Sequence, residues 1–278
     1  MNFKETSERS ETHLFSVEGK VIAIIGATGI LGTQYVKYLS SLGAKVIIGD
    51  VDFESCEKLS GQLNAIGCEN YPIKIDNTDE DSIIHFFAEI NRCCGQLDVL
   101  INNAQVKPVG FYASFENYSK ETLKEVLDGD LIGVTLACRE AAKKFLDQGK
   151  GIIINVASIY GIVAADQRLY DGVENVYYPD EKFSSPVSYA ISKAGVVQLT
   201  KYLASYYREQ NIRINCLTLG GVFDDHDVTF KEQYSYRTTL GRMADKNEYN
   251  GAVLFLCSDA SSYMSGANLV VDGGWTSI

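Results

Sequence analysis

The chain has 278 residues, 46% of them hydrophobic, enough for the core of one sizeable α/β domain. Its net charge of -11 argues against nucleic acid and anionic membrane as partners. Seven cysteines, an odd number with no Cys-x-x-Cys or His-paired metal spacing, read as free thiols of a reducing cytoplasm rather than as disulfides or a metal site.

Residues 1–16 are polar and lack an apolar segment, so they read as a flexible tail and not a secretory signal. Residues 17–278 read as a single domain with no repeat or low-complexity block. Strands are predicted at Val21–Ile25, Lys45–Gly49, Tyr71–Ile75, Val99–Asn102, Gly151–Val156, Arg213–Leu217 and Asn268–Val271. Helices are predicted over 30–42, 53–66, 79–94, 119–148, 188–209 and 246–257. The strands are nearly continuous apolar runs, which fits burial on both faces. Alternation of strand and helix then gives an α/β fold: three layers around a doubly wound, seven-stranded parallel sheet. Runs such as Val21–Ile25 are far too short to span a bilayer. Residues 159–187 are a long tyrosine-rich, acidic connection, the kind that is either functional or disordered.

The first strand leads into Gly26-Ala27-Thr28-Gly29-Ile30-Leu31-Gly32 and then a helix. Glycine permits a tight turn and close approach of the backbone to a pyrophosphate, whose charge is met by the helix N-terminus. The spacing is Gly-x-x-Gly-x-x-Gly rather than the commoner Gly-x-Gly-x-x-Gly. Asp50 ends the second strand, 18 residues beyond Gly32. A carboxylate there can accept hydrogen bonds from both adenosine ribose hydroxyls and repel a 2′-phosphate, favouring NAD over NADP. Asp76, with Asn77 beside it, ends the third strand and is a candidate for the adenine side.

Tyr189 and Lys193 are four residues apart, hence on one face of a helix. A free phenol loses its proton near pH ~10, and a neighbouring ammonium favours the phenolate, so the pair can exchange a proton with a substrate oxygen. Ser158 stands at a strand end upstream; capping of the following turn is the alternative to a catalytic role, which Tyr189 and Lys193 in register favour.

In this order the motifs resemble the short-chain dehydrogenase/reductase family in its single-domain Rossmann form. The resemblance covers roughly residues 17–275: the glycine loop, Asn102-Asn103-Ala104, Asn155-Val156-Ala157-Ser158, Tyr189…Lys193, Asn215 to Gly221, and the closing Val271-Asp272-Gly273-Gly274. It implies Tyr189 as acid/base, Ser158 as hydrogen-bond partner of the reacting oxygen, and Lys193 on the nicotinamide ribose. It also implies Asn103 and Ala104 along the adenosine and ribose channel, and Gly220 and Val222 near the nicotinamide carboxamide. No metal is implied. Family members assemble through helices matching 119–148 and 188–209, so a homodimer or homotetramer is expected, with Ala137, Ala141 and Ala142 as small interface faces.

Ile25, Ile30, Gln105 and Leu219 depart from the family pattern without removing the loop glycines. Asp130 is the consequential departure, because the family normally has an asparagine there that helps hold a water linking the lysine to solvent. A carboxylate accepts where the amide could also donate, and beside Lys193 it would attenuate the lysine's effect on Tyr189. The expectation is a working but retuned proton relay.

The insertion 159–187 begins beside Ser158 and is expected to wall the substrate pocket or to serve as a flap or subunit contact. Asp166, Arg168, Tyr170, Asp171, Glu174, Tyr177 and Tyr178 suit a small polyhydroxylated ligand. Residues 222–239 are expected to be a mobile lid, with His226 on its surface. Ser158-Ile159-Tyr160-Gly161, Asp166-Gln167-Arg168 and Gly241-Arg242-Met243 resemble a subgroup linked to flagellin modification and sialic-acid-like sugars. An anionic substrate would need arginines such as Arg168, Arg237 or Arg242. Alternative readings are a nucleotide-sensing protein without turnover, and a nucleotide-sugar epimerase or dehydratase, which would bring a further substrate domain.

Overall fold

The computed structural model describes residues 14–278. Of the expected tail, residues 1–13 lie outside the described residues. Residues 14–16 are docked instead: the Leu14 carbonyl accepts from the Ala260 N–H at 2.9 Å, and Phe15 packs on Phe255.

The elements run β1 (Val21–Ile25), α1 (Ile30–Ser41), β2 (Lys45–Asp50), α2 (Phe53–Asn64), β3 (Asn70–Lys74), α3 (Glu80–Cys94) and β4 (Val99–Asn102). There follow α4 (Lys120–Leu127), α5 (Val134–Gln148), β5 (Gly151–Ser158), α6 (Val187–Tyr206), β6 (Ile212–Leu219), α7 (Val228–Tyr236), α8 (Asn250–Cys257) and β7 (Asn268–Val271). All seven strands pair in parallel in the order β3-β2-β1-β4-β5-β6-β7. The order reverses between β1 and β4, the place where open α/β sheets leave a crevice at their carboxyl ends.

Because successive strand side chains point to opposite faces, one strand feeds two cores. Ile22 and Ile24 of β1 pack with Tyr35 and Leu39 of α1, Leu59 of α2 and Val253 of α8. Val21, Ala23 and Ile25 face the other way, onto Phe86 of α3, Phe145 of α5 and Val196 of α6. Ala137 and Ala141 belong to this second core, and Ala142 beside them is likewise fully buried. They are therefore not an interface surface, contrary to the reading from sequence; their small size lets α5 sit close to the sheet.

The helix expected over 119–148 is divided. Ser119 caps α4 by accepting from the Thr122 N–H at 3.0 Å. A π-helical turn at Asp128–Gly133 then precedes α5. Its glycines allow close backbone approach: a Cβ on Gly133 would lie 2.0 Å from the Asn77 carbonyl oxygen, and one on Gly129 would lie 2.3 Å from the Val106 side chain. Such π turns concentrate at functional positions. The last predicted helix begins at Asn250 rather than 246. Part of the expected lid is ordered as α7, capped by Asp227 through the Phe230 N–H at 3.1 Å. All seven cysteines are free, and no helix among the described residues is long and apolar enough to cross a membrane.

Candidate active site

The carboxyl ends of β1, β2, β4, β5 and β6 bring the predicted residues to one side of the sheet. Gly26 turns with φ +80°, and a Cβ there would come within 2.6 Å of the Ala104 backbone, so only glycine lets the loop meet the β4 end. Asn103 holds that contact by donating Nδ2 to the Gly26 carbonyl at 2.9 Å. A Cβ on Gly32 would fall 2.0 Å from the same carbonyl oxygen, which closes α1 onto the loop. Gly29 starts α1 without a side-chain cap, so the first-turn amides, beginning with Ile30 and Leu31, have no side-chain acceptor. Ile30 is exposed at this mouth.

Asp50 lies beside the loop. Its Oδ2 accepts from the Thr28 N–H at 3.0 Å and its Oδ1 from the Asp52 N–H at 3.3 Å. Asp76 closes its own turn, accepting from the Thr78 N–H at 2.9 Å and hydroxyl at 2.7 Å through one oxygen. Asn77 is buried, and its amide donates to the Gly129 carbonyl at 3.0 Å, tying β3 to the π turn. Gly220 is committed on both sides: its N–H donates to Val271 and its carbonyl accepts from the Tyr249 hydroxyl. Its backbone thus has a structural task. Val222 bridges to Ala244 through the backbones of Gly221 and Phe223.

Ser158 ends β5 opposite Leu219 of β6 and is buried. Its Oγ accepts from the Tyr160 N–H at 3.2 Å, so the capping role is real. An oxygen that accepts from a backbone amide keeps its own hydroxyl proton to donate. The turn after Ser158 rests on α6 at Lys193: a Cβ on Gly161 would lie 2.6 Å from the Lys193 carbonyl carbon. Lys193 is 5% exposed and its Nζ donates to the Val156 carbonyl at 3.3 Å, with the Tyr189 ring centroid 5.7 Å away. A buried ammonium with one long hydrogen bond has donors to spare for a diol. Loop amides, an Asp50 carboxylate and this ammonium fit a dinucleotide along the switch point.

Asp130 projects from the π turn and is fully buried. Its Oδ1 accepts from the Val106 N–H at 2.7 Å, whereas Oδ2 has no partner among the described residues. Burial pushes its carboxyl above the ordinary carboxylate range, partly offset by the Lys193 charge and the Val106 bond.

Residues 20–170 match the family described as short chain dehydrogenase, and residues 177–276 match that described as enoyl-(acyl carrier protein) reductase. The chain belongs to the short-chain dehydrogenase/reductase family. A cis-4-hydroxycyclohexanecarboxylate dehydrogenase of Sinomonas cyclohexanicum is 31% identical, over 93% of this chain and 97% of the relative. A post-translational flagellin modification protein A of Campylobacter coli is 30% identical, over 93% and 99%. A short chain dehydrogenase from Leptospira borgpetersenii, solved with bound NAD+, superposes with a TM-score of 0.79 at 33% identity, over 94% of each chain. This short-chain dehydrogenase is thus an oxidoreductase whose relatives include an enzyme acting on a hydroxylated compound.

An aromatic layer beyond Ser158 was only partly foreseen. Ile159, Leu169, Tyr170, Tyr234, Met243 and Trp275 form a third core, so insertion 159–187 packs on α7 and the C-terminal turn. Tyr112 stacks on Tyr177 at 4.4 Å, and Tyr170 on Phe230 at 5.4 Å. Burial pushes the Tyr112 phenol up to about 12 and also raises Tyr160 and Tyr170, with Tyr189 near enough to each to add to the effect. His226 is exposed and stacks on Phe230, the lid-surface place expected for it. Tyr112 and Trp275 carried no signal in the chain; only the fold brings them to Tyr160 and Tyr170.

Proposed function

We propose that the protein is an NAD-dependent dehydrogenase, or the reverse reductase, that interconverts a secondary alcohol and a carbonyl on a small polar hydroxylated substrate. The observation that carries this reading is the buried Lys193 ammonium on the same helix face as Tyr189, with the Ser158 hydroxyl at the adjoining strand end. When bound, the nicotinamide supplies or accepts the hydride. Tyr189 takes the alcohol proton in oxidation and returns it in reduction, Ser158 donates to the substrate oxygen, and Lys193 steadies both the phenolate and the ribose diol. Asp50 on the adenosine side favours NAD, because a 2′-phosphate would face its carboxylate. The small polar substrate fits the phenols and charged groups of the insertion, and the dehydrogenase relative acts on a hydroxylated carboxylate. Residues 17–278 act as one domain, in a cytoplasmic homodimer or homotetramer.

The test is NAD reduction, read by absorbance, against a panel of sugars, sugar acids, sugar phosphates and simple secondary alcohols. Turnover on one class, reduced about 10²–10⁴-fold by Tyr189→Phe, supports the reading. NAD binding without turnover on any of them would leave a nucleotide-sensing protein and overturn the enzyme assignment.

A further inference from the structure

The arginines around the insertion are not equivalent. Arg168 is spent on Asp166, with Nε and Nη2 on the two carboxylate oxygens at 2.8 and 2.7 Å. Arg242 is spent in the same way on Glu248 at 2.5 and 2.6 Å. Arg92, Arg139 and Arg213 likewise donate to carboxylates or carbonyls. Arg237, just after α7, is half-buried and its guanidinium donates no hydrogen bond among the described residues. Its Nη1 stands 3.6 Å from Asp166 Oδ2, an oxygen already taken by Arg168, and its Nε is shielded from solvent without an acceptor. The guanidinium lies 5.0 Å from the Trp275 ring, and the buried indole N–H also lacks an acceptor.

Two neighbouring donors without acceptors, one of them charged, are costly unless something accepts from them. An unbonded guanidinium favours an anion as that acceptor. Asp166 is held by Arg168 through both oxygens and the Asp272 carboxylate, still charged, is turned onto Gly274 and Thr276, so the Arg237 guanidinium has no carboxylate bonded to it. The location ties this group to the reaction. Trp275 packs 6.1 Å from Tyr160, whose N–H bonds Ser158, and 6.3 Å from Tyr234, whose hydroxyl bonds the Gly221 N–H beside Val222.

We infer that Arg237, seated on Trp275, is the recognition site for an oxyanion at the far end of the substrate, making the substrate a hydroxylated acid or phosphate monoester rather than a neutral polyol. This rests on the dehydrogenase reading above, but its test does not depend on turnover. Trp275 is the only tryptophan in the chain, so intrinsic indole emission reports on this place alone. D-gluconate, D-sorbitol 6-phosphate and D-sorbitol, matched in length, are titrated against the NAD-loaded protein while emission is followed.

The expected result is a saturable change with one or both anions and at least tenfold weaker response to sorbitol. The two anionic arms separate carboxylate from phosphate recognition. Arg237→Met abolishes the selectivity, and Arg237→Lys, which keeps the charge but loses the planar fork, retains part of it. If either variant unfolds, its far-ultraviolet dichroism shows it, and the parent selectivity still decides. Equal response to sorbitol and the anions, or selectivity that survives in folded Arg237→Met, overturns the inference. Selective binding without turnover on any panel member overturns the dehydrogenase reading and leaves the oxyanion site standing.

Discussion

At the scale of single residues, Asp130 and Asp50 carry the tests. Burial raises the Asp130 carboxyl above its unfolded value. Such a group helps the fold only while protonated: the contribution is complete below the ordinary carboxylate range and is lost as pH rises through the folded value. Asp130→Asn removes that loss, so the variant should melt higher than the parent at pH 7 to 8, the gap closing as pH falls towards 4. Thermal melts across that range measure it, and a variant that is less stable at neutral pH would show that the Asp130 charge supports Lys193 instead. Removing a carboxylate near Lys193 also strengthens the field that stabilises a phenolate at Tyr189. The rising limb of the pH–rate profile for alcohol oxidation should therefore move to lower pH in Asp130→Asn, and superimposable profiles would sink the retuned relay. Asp50→Ser tests the cofactor preference. The carboxylate accepts from the Thr28 N–H of the glycine loop, where the proposed reading puts the adenosine ribose, and its loss should narrow the ratio of NAD to NADP affinity about tenfold or more, roughly 1.4 kcal/mol. Titration of both cofactors reads it directly, and an unchanged ratio refutes the role.

Secondary-structure elements decide whether those residues meet. Gly161 sits where the turn after β5 touches α6, and a Cβ there would collide with the Lys193 backbone at 2.6 Å. Gly161→Ala must lift the turn, and with it Ser158, away from α6, the helix that carries Tyr189. A misplacement of about 1 Å can cost on the order of 10²-fold in rate, so kcat should fall far more than the melting temperature. A variant that keeps kcat would show the contact to be unrelated to catalysis. The seven strands were readable because near-continuous apolar runs admit few other structures. Boundaries were less readable: β5 and β6 each run two residues further than their apolar pattern, since Ser158 pairs with Leu219 in the ladder. The break at Asp128–Gly133 was hidden because its cause is tertiary, the approach of Asn77 and Val106 to two glycines. The site motifs were legible as ordered spacings; Arg237 stood among three candidate arginines in the sequence, and only the fold separates it from Arg168 and Arg242 by seating it on Trp275. Gly220 shows the converse, a motif residue whose backbone the fold has already used.

For the whole molecule, the open question is what covers the outer face of α6. With Ala137, Ala141 and Ala142 turned into the core, the surface is supplied by other residues: Ile191, Tyr202 and Tyr206 on α6, 47%, 60% and 65% exposed, with Ile132 from the π turn. The π turn lies against this helix, since a Cβ on Gly195 would meet the Leu131 side chain at 2.8 Å. Tyr202 and Tyr206 stack on each other at 5.9 Å, a prepared apolar surface of the kind a two-fold interface buries. Each protomer carries a net charge of -11, so association works against repulsion. Screening shrinks from about 30 Å at 0.01 M salt to about 8 Å at 0.15 M, and sedimentation velocity should therefore show a dimer or tetramer that tightens as salt rises. Tyr206→Glu, which places a further negative charge on the stripe of both partners, should shift the species towards monomer while the melting profile of the sheet is retained. An assembly that loosens with salt, or that survives Tyr206→Glu unchanged, would place the interface elsewhere.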